Sequence, residues 1–289
     1  MRSRCLRALA VGQLALVGPA AGASASSLVY KCAPNICEVQ SDGTGIRHLT
    51  WNGTVHRPYR QPTRSLDRRR LAFTAPDGFS YVAGPDGRGR VRLRPGTVIL
   101  HPRQPYALAE TELMGHEPIQ CKMKLPSRGT YPCAFTYGAY PSWGPGVDLL
   151  LTRWLDYTEI RRYELTPRIF RMIRVVARPR PGTRFNGAAV LSPDGRWLAV
   201  PVQRADSPYR PSLAVYSARS GRWVRDLTRG HWDRGPTWSP DSRQIAFARG
   251  TVLDHAWERF ISGSIYRVSR SGGPLRLVVR RGYEPHWGT

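Results

Sequence analysis

Apolar residues in this chain come in short runs that recur at a regular interval. Six runs align on an apolar triplet: Leu28-Val29-Tyr30, Leu71-Ala72-Phe73, Ala107-Leu108-Ala109, Leu149-Leu150-Leu151, Leu198-Ala199-Val200 and Ile245-Ala246-Phe247. Their starts differ by 43, 36, 42, 49 and 47 residues. The stretches around them are copies of one another, clearest in LSPDGRWLAV (191–200) and TWSPDSRQIAFARG (237–250), weaker in RSLDRRRLAFT (64–74) and PSWGPGVDLLLTRW (141–154), degenerate in HPRQPYALAE (101–110). A period in the forties fits a four-stranded blade better than a helical repeat.

Each unit continues in the same order. A second short strand follows, as in NICEV (35–39), FSYVA (79–83), SLAVYS (212–217) and SIYRVS (264–269). A Gly-rich turn comes next, as in SDGTG (41–45), GPDGRG (84–89) and SRSGGP (269–274), where a hairpin needs positive φ. A last strand closes the unit, as in IRHLT (46–50), RVRLR (90–94) and LRLVV (275–279). The first unit lacks an initial strand, while the chain stops at YEPHWGT (283–289), with Trp287 one period after Trp238. The expected fold is therefore all-β: a six-bladed β-propeller of four-stranded antiparallel blades, its ring closed by the C-terminal strand joining the N-terminal blade, which hides both sheet edges.

Composition adds a compartment and a charge. The chain has 289 residues with 28 Gly and 25 Pro, in keeping with many turns. Arg2, Arg4 and Arg7 precede a short Ala/Gly-rich apolar stretch and small residues at 21–25, the pattern of an export signal over residues 1–25. The alternative for this segment is a retained membrane tether. The propeller domain then spans 26–289, and the expected location is secreted or periplasmic. Lys+Arg is 44 against Asp+Glu 20, a net charge of +24, and all but Lys31, Lys122 and Lys124 of those cations are arginines. Such a charge favours salt-sensitive attraction to anionic surfaces.

Beyond the signal lie four cysteines in two local pairs, Cys32 with Cys37 and Cys121 with Cys133. An even count in an exported chain reads as two disulfides, and neither pair has the Cys-x-x-Cys spacing of a zinc site. In the blurred third unit, CKMKL (121–125) and YPCAF (131–135) fill the places of the last two strands, so Cys121 and Cys133 would face each other across a hairpin. Closing a loop of that size contributes roughly 3 kcal/mol in the chain-entropy model.

The units resemble the WD40-like propeller repeats of the TolB family. The match is carried by Leu191-Ser192-Pro193-Asp194-Gly195, by Trp238-Ser239-Pro240-Asp241, and by SDGTGIRHLT (41–50). It covers roughly residues 28–289, strong at both ends and faint in the middle. The resemblance implies a six-bladed propeller and a cell-envelope setting. The family's namesake carries an α/β domain before its propeller, for which this sequence leaves no room between the signal and the first strand. Repeats of this kind occur in binding modules, hydrolase appendages and lyases, so fold alone does not choose among them.

There is no Gly-x-Ser-x-Gly elbow for a hydrolase. The histidines at 48, 56, 101, 116, 231, 255 and 286 form no compact ligand motif, with His231-Trp232-Asp233 and His116-Glu117 the better candidates for a loop cluster. Asp194, with Gly195, and Asp241 recur at one phase of the repeat, which marks them as turn residues: Pro presets φ, Asp bonds nearby amides and Gly takes positive φ. Glu110, Glu112 and Glu117, in the irregular insertion of the third unit, are the acids least explained by the repeat. Arg68, Arg69 and Arg70 at a turn, with Arg90, Arg92 and Arg94 alternating along an outer strand, are candidate anion-binding residues. No catalytic, metal or cofactor residue is assigned. The expectation is a binding or scaffold module for a protein or an anionic cell-envelope component, with nucleic acid a poor fit to an exported chain. The alternative is an enzyme at the channel mouth, such as a lyase acting on an acidic polysaccharide. Any site is expected where the repeat fails, from about Glu110 to Trp143.

Overall fold

A computed structural model describes residues 26–112, 118–125, 133–135, 139–146, 148–153, 158–166, 169–229, 231–254 and 259–287. Residues 1–25, where the sequence suggests an export signal, residues 113–117 of the irregular insertion with His116 and Glu117, and His255 lie outside the described residues, as does the Glu112 side chain. The described elements are all strands, hydrogen-bonded into six antiparallel sheets. Blades 2, 3, 4 and 6 each run from an innermost to an outermost strand in chain order. Blade 1 takes its innermost strand, Tyr283–His286, from the C-terminus, paired antiparallel with Ser27–Cys32. The ring is thus closed by the two ends of the chain. In blade 5 the innermost position is held by two pieces, Thr183–Phe185 and Val190–Leu191, both on Trp197–Arg204. The interruption falls where Asn186 donates its N–H to Pro201 O (2.8 Å) and Gly187 takes φ of 143°.

The apolar triplets are the second strand of every blade, and their uninterrupted hydrophobicity has a simple cause. Side chains alternate between the two faces of a strand, and in this ring both faces are covered by a neighbouring blade. The middle residue of each triplet faces the next blade: Val29 packs with Leu71 and Phe73, Ala72 with Val98 and Leu100, and Ala199 with Trp238. The flanking residues face the previous blade: Leu28 and Tyr30 pack with Ile265, and Leu198 and Val200 with Ile160. The buried apolar residues accordingly fall into six clusters, one at each blade interface.

The innermost strands meet around the axis, and one aligned position on them joins blade to blade. The residues paired with the six triplet midpoints are Thr63, Ile99, Ser142, Val190, Thr237 and His286. Directly paired residues share a face, so these side chains also point to the next blade. Where the residue is polar it bonds there. Thr63 Oγ1 accepts from Leu100 N–H (3.2 Å), Thr237 Oγ1 from Trp287 N–H (2.9 Å) and His286 Nδ1 from Arg64 N–H (3.2 Å), while the Ser142 hydroxyl donates to Ala189 O. Where it is apolar, the next blade reaches back: Trp143 Nε1–H donates to Ile99 O (3.1 Å) and Trp238 Nε1–H to Val190 O (2.8 Å). All six interfaces carry one of these two latches.

If the latches hold the ring, Thr237→Val, which keeps shape and removes the acceptor, leaves the buried Trp287 N–H unpaired. We expect a loss of about 1–3 kcal/mol, read as a lower urea midpoint at unchanged slope.

Candidate functional site

The six innermost strands enclose an axial cavity of about 770 Å³. Its wall has a repeating proline, at Pro62, Pro141, Pro236 and Pro285, each just before the latch residue. An innermost strand is also a sheet edge, and a proline there removes an N–H that would otherwise face the lumen. The motif Pro-[Thr/Ser/His]-[Arg/Trp], in PTR (62–64), PSW (141–143), PTW (236–238) and PHW (285–287), is plain in the sequence, yet it lies ahead of both the turn and the apolar triplet that define the repeat.

One rim of the cavity is built from turns. Ser192 donates its hydroxyl to Asp194 Oδ1 (2.6 Å), which also accepts Arg196 N–H (3.0 Å), and Trp197 N–H donates to Ser192 Oγ (3.0 Å). Ser239, Asp241, Arg243 and Gln244 repeat this arrangement, as do Ser65, Asp67, Arg69 and Arg70. Gly195 takes φ of 72° at its turn. In blade 3 the serine's place is taken by His101, six residues before the triplet at Ala107. Its Nδ1 accepts the N–H groups of Arg103 (3.1 Å) and Gln104 (2.8 Å), and Nε2–H donates to Gly146 O of blade 4. These contacts define its tautomer, and burial lowers its pKa. Neighbouring turns are joined too: Leu66 N–H donates to Pro102 O (2.6 Å) and Asp194 N–H to Ser242 Oγ (3.1 Å), while Arg103 Nη2 of blade 3 reaches past blade 4 to Pro193 O of blade 5 (3.2 Å).

At the other rim, Glu284 Oε2 accepts Gln61 N–H (2.6 Å) and Glu110 Oε2 accepts from Gln120 Nε2. Arg234 lies over the Trp232 ring at 4.4 Å. Each of these side chains has a partner within its own blade or in the next, and among the described residues no paired acid and base set faces the lumen. Among the described residues, the cluster of possible metal ligands is Cys32, Cys37 and His48, outside the cavity, and its two sulfurs are joined in a disulfide. The second disulfide joins Cys121 to Cys133, directly opposed on neighbouring strands with Cα atoms 4.0 Å apart.

The structure disperses the candidate arginines. Arg68, at φ of 61°, turns to Ser27 and Glu38 of blade 1. Arg70 donates to Gln104 O of blade 3 (3.1 Å), while Arg69 is exposed. Arg90 lies over Tyr59 and Phe73, Arg92 over Phe79 at 3.4 Å, and Arg94 beside Cys121 Sγ at 3.4 Å. A different cluster forms around Glu38. Its carboxylate, 5% exposed, accepts from Arg64, Arg47, Arg68 and Ser27, and the Arg64 guanidinium is 1% exposed. Burial alone would raise the Glu38 pKa, but Arg64, Ser27 and Arg47 outweigh it and hold it down at about 2. Arg64 Nε remains without a partner. The sequence marked this stretch as arginine-rich, but nothing local marked Glu38, which is brought to Arg64 by the packing of blade 2 on blade 1.

The fold and its axial cavity define a six-bladed β-propeller of the kind closed by its own two termini. Among solved structures it is similar to TolB from Acinetobacter baumannii, with TM-score 0.72 and 16% identity over 91% of this chain and 66% of that one. It is similar to a putative TolB from Agrobacterium tumefaciens, with TM-score 0.63 and 16% identity over 90% of each chain. Likeness at that identity establishes the TolB-like fold and no more. Kluyveromyces lactis Hsv2 is a more distant match, at TM-score 0.51 and 12% identity over 84% of this chain and 71% of that one. No protein-family model matches the chain, and no curated protein matches it.

His101 and Glu38 give the same sign of pH dependence. The pKa of His101 is lowered from 6.5, so its contribution is complete above that pH and falls as acid protonates the unfolded chain preferentially. Glu38 is lowered from 4.5 to about 2, so its contribution is lost as pH falls through that window. Stability measured by denaturant between pH 7 and 2 is expected to fall in those two steps. Glu38→Gln should shrink the lower one, to which Asp67, Asp77 and Glu159 also contribute, at a cost of about 3–5 kcal/mol for leaving the Arg64 charge unpaired.

Proposed function

We propose that the protein is an exported binding and scaffold module that presents the rim of its axial cavity to a protein or an anionic component of the cell envelope. One observation carries this reading: among the described residues, the acids, arginines and histidines along the cavity are engaged within a blade, as Asp194, Glu110 and Arg234 are, or between blades, as Glu284, His101, Arg103 and His286 are, and they form no reactive set. The export pattern of residues 1–25, the two disulfides and the net charge of +24 support an envelope setting and an acidic partner. Among the described residues no helix is long and apolar enough to cross a membrane.

The test places a photo-crosslinking residue at Arg196 on the turn rim, and separately at Arg276 on the outermost strand of blade 6, in exported protein exposed to envelope extract. The rim probe should give discrete adducts that weaken as salt is raised, and terminal sequencing of the recovered protein should begin near residue 26. Adducts confined to the Arg276 probe would contradict the rim reading, and an intact N-terminus would contradict cleavage.

A further inference from the structure

The connection from the outermost strand of blade 1, Arg47–His48, to the innermost strand of blade 2, Arg60–Arg64, carries the two most exposed large apolar side chains of the described residues. Val55 is 85% exposed and Trp51 73%, while the next is Ile46 at 55%. The loop is held at both ends by the neighbouring hairpin of blade 1. Gly53 N–H donates to Asn35 Oδ1 (3.0 Å), and Tyr59 N–H to Pro34 O (2.8 Å). The Tyr59 hydroxyl donates to Asn52 Oδ1 (2.6 Å). The approach is close enough that a Cβ on Gly53 would lie 2.1 Å from Pro34 O. At the tip, Thr54 and Arg57 exchange both backbone hydrogen bonds (3.1 Å each), which leaves Val55 and His56 as a two-residue turn. Trp51 stacks on His48 at 4.6 Å.

The charge around this loop is one-sided. Residues 43–66 contain Arg47, Arg57, Arg60 and Arg64, two histidines and no acid. Arg64 and Arg47 bond Glu38, whereas Arg57 and Arg60 have no ion pair among the described residues. An aliphatic tip, an exposed indole and two uncommitted guanidinium groups match the layered chemistry of a bilayer surface: hydrocarbon, interface and phosphate. Thr54 and Arg57 pair their backbone groups with each other, which lowers the number of unsatisfied N–H and C=O groups the turn would carry into that layer.

We propose that this loop docks the propeller on an anionic lipid bilayer, with Val55 and Trp51 entering the interface and Arg57 and Arg60 on headgroup phosphates. The loop stands at the Cys32–Asn35 end of the first hairpin, while Ser27 pairs with Gln40 at the far end. Docking therefore does not depend on whether residues 1–25 are retained, and it does not depend on what the axial cavity binds.

The experiment is sedimentation of the exported, purified protein with vesicles of phosphatidylcholine alone or with phosphatidylglycerol added. The protein should bind the mixed vesicles and not the neutral ones. Trp51→Ser/Val55→Ser should weaken binding by at least about tenfold, given the apolar area withdrawn from the interface, at an unchanged melting temperature because both side chains are solvent-exposed. Arg57→Gln/Arg60→Gln should weaken it and flatten its salt dependence. Equal binding by the Trp51/Val55 variant would overturn the proposal, reducing the attraction to net charge alone. Failure of the unaltered protein to bind the mixed vesicles would also overturn it, and would leave the cavity reading untouched.

Discussion

A propeller has two rings of sheet edges, and the inner one is the harder to satisfy. The innermost strands splay from the axis and cannot pair as a ladder, so each presents backbone groups to a narrow lumen. In this chain a single aligned position on these strands solves the problem six times. It either sends a polar side chain forward to the next blade, as Thr63, Ser142, Thr237 and His286 do, or stays apolar and accepts an indole from it, as at Ile99 and Val190. In four of the six blades a proline one residue earlier removes a further N–H from the lumen. Trp287 shows what happens when both devices meet at one interface. Its backbone N–H takes the Thr237 latch, and its indole Nε1 is left buried without a partner.

This constraint shapes what the axis can do. Because His101, His286 and Glu284 bond from one blade to the next, altering one of them to create chemistry would loosen an interface. His101 is the clearest case: a serine-type turn built with an imidazole, using both ring nitrogens, with a pKa lowered by burial. Recognition is better placed on surfaces that the ring does not need, such as the exposed parts of the turns and the loops between blades. The buried Glu38–Arg64 pair is likewise structural. It joins blade 1 to blade 2 next to the seam where the C-terminal strand enters.

Much of the architecture was legible because the repeat is local. The triplets, the Gly-rich hairpins and the return of Trp287 one period after Trp238 place every blade and its closure. The alternation of middle and flanking residues between two neighbours explains why the triplets read as continuous apolar runs. Less of the site was legible, because its contacts join residues far apart in the chain. Glu38 meets Arg64 and Arg68 only once two blades pack, and the six arginines singled out by their density point in several directions. Asp194, conspicuous in its Ser-Pro-Asp-Gly setting, spends its carboxylate on Ser192 and Arg196 within its own turn. The Pro-[Thr/Ser/His]-[Arg/Trp] motif was visible but overshadowed by the neighbouring turn, although it marks the residues that line the lumen. The irregular stretch from Glu110 to Trp143 contributes Glu110, Tyr140 and Trp143 to the cavity wall.

Native-state hydrogen exchange at the seam tests the closure of the ring most directly. If the terminal strand is an integral part of blade 1, the amides of His286 and Trp287 should exchange with the same opening free energy as those of Val29 and Tyr30, equal to that of global unfolding. Exchange of His286 and Trp287 at a distinctly lower free energy, with Val29 and Tyr30 still protected, would show a strand that merely lies on a ring closed by other means.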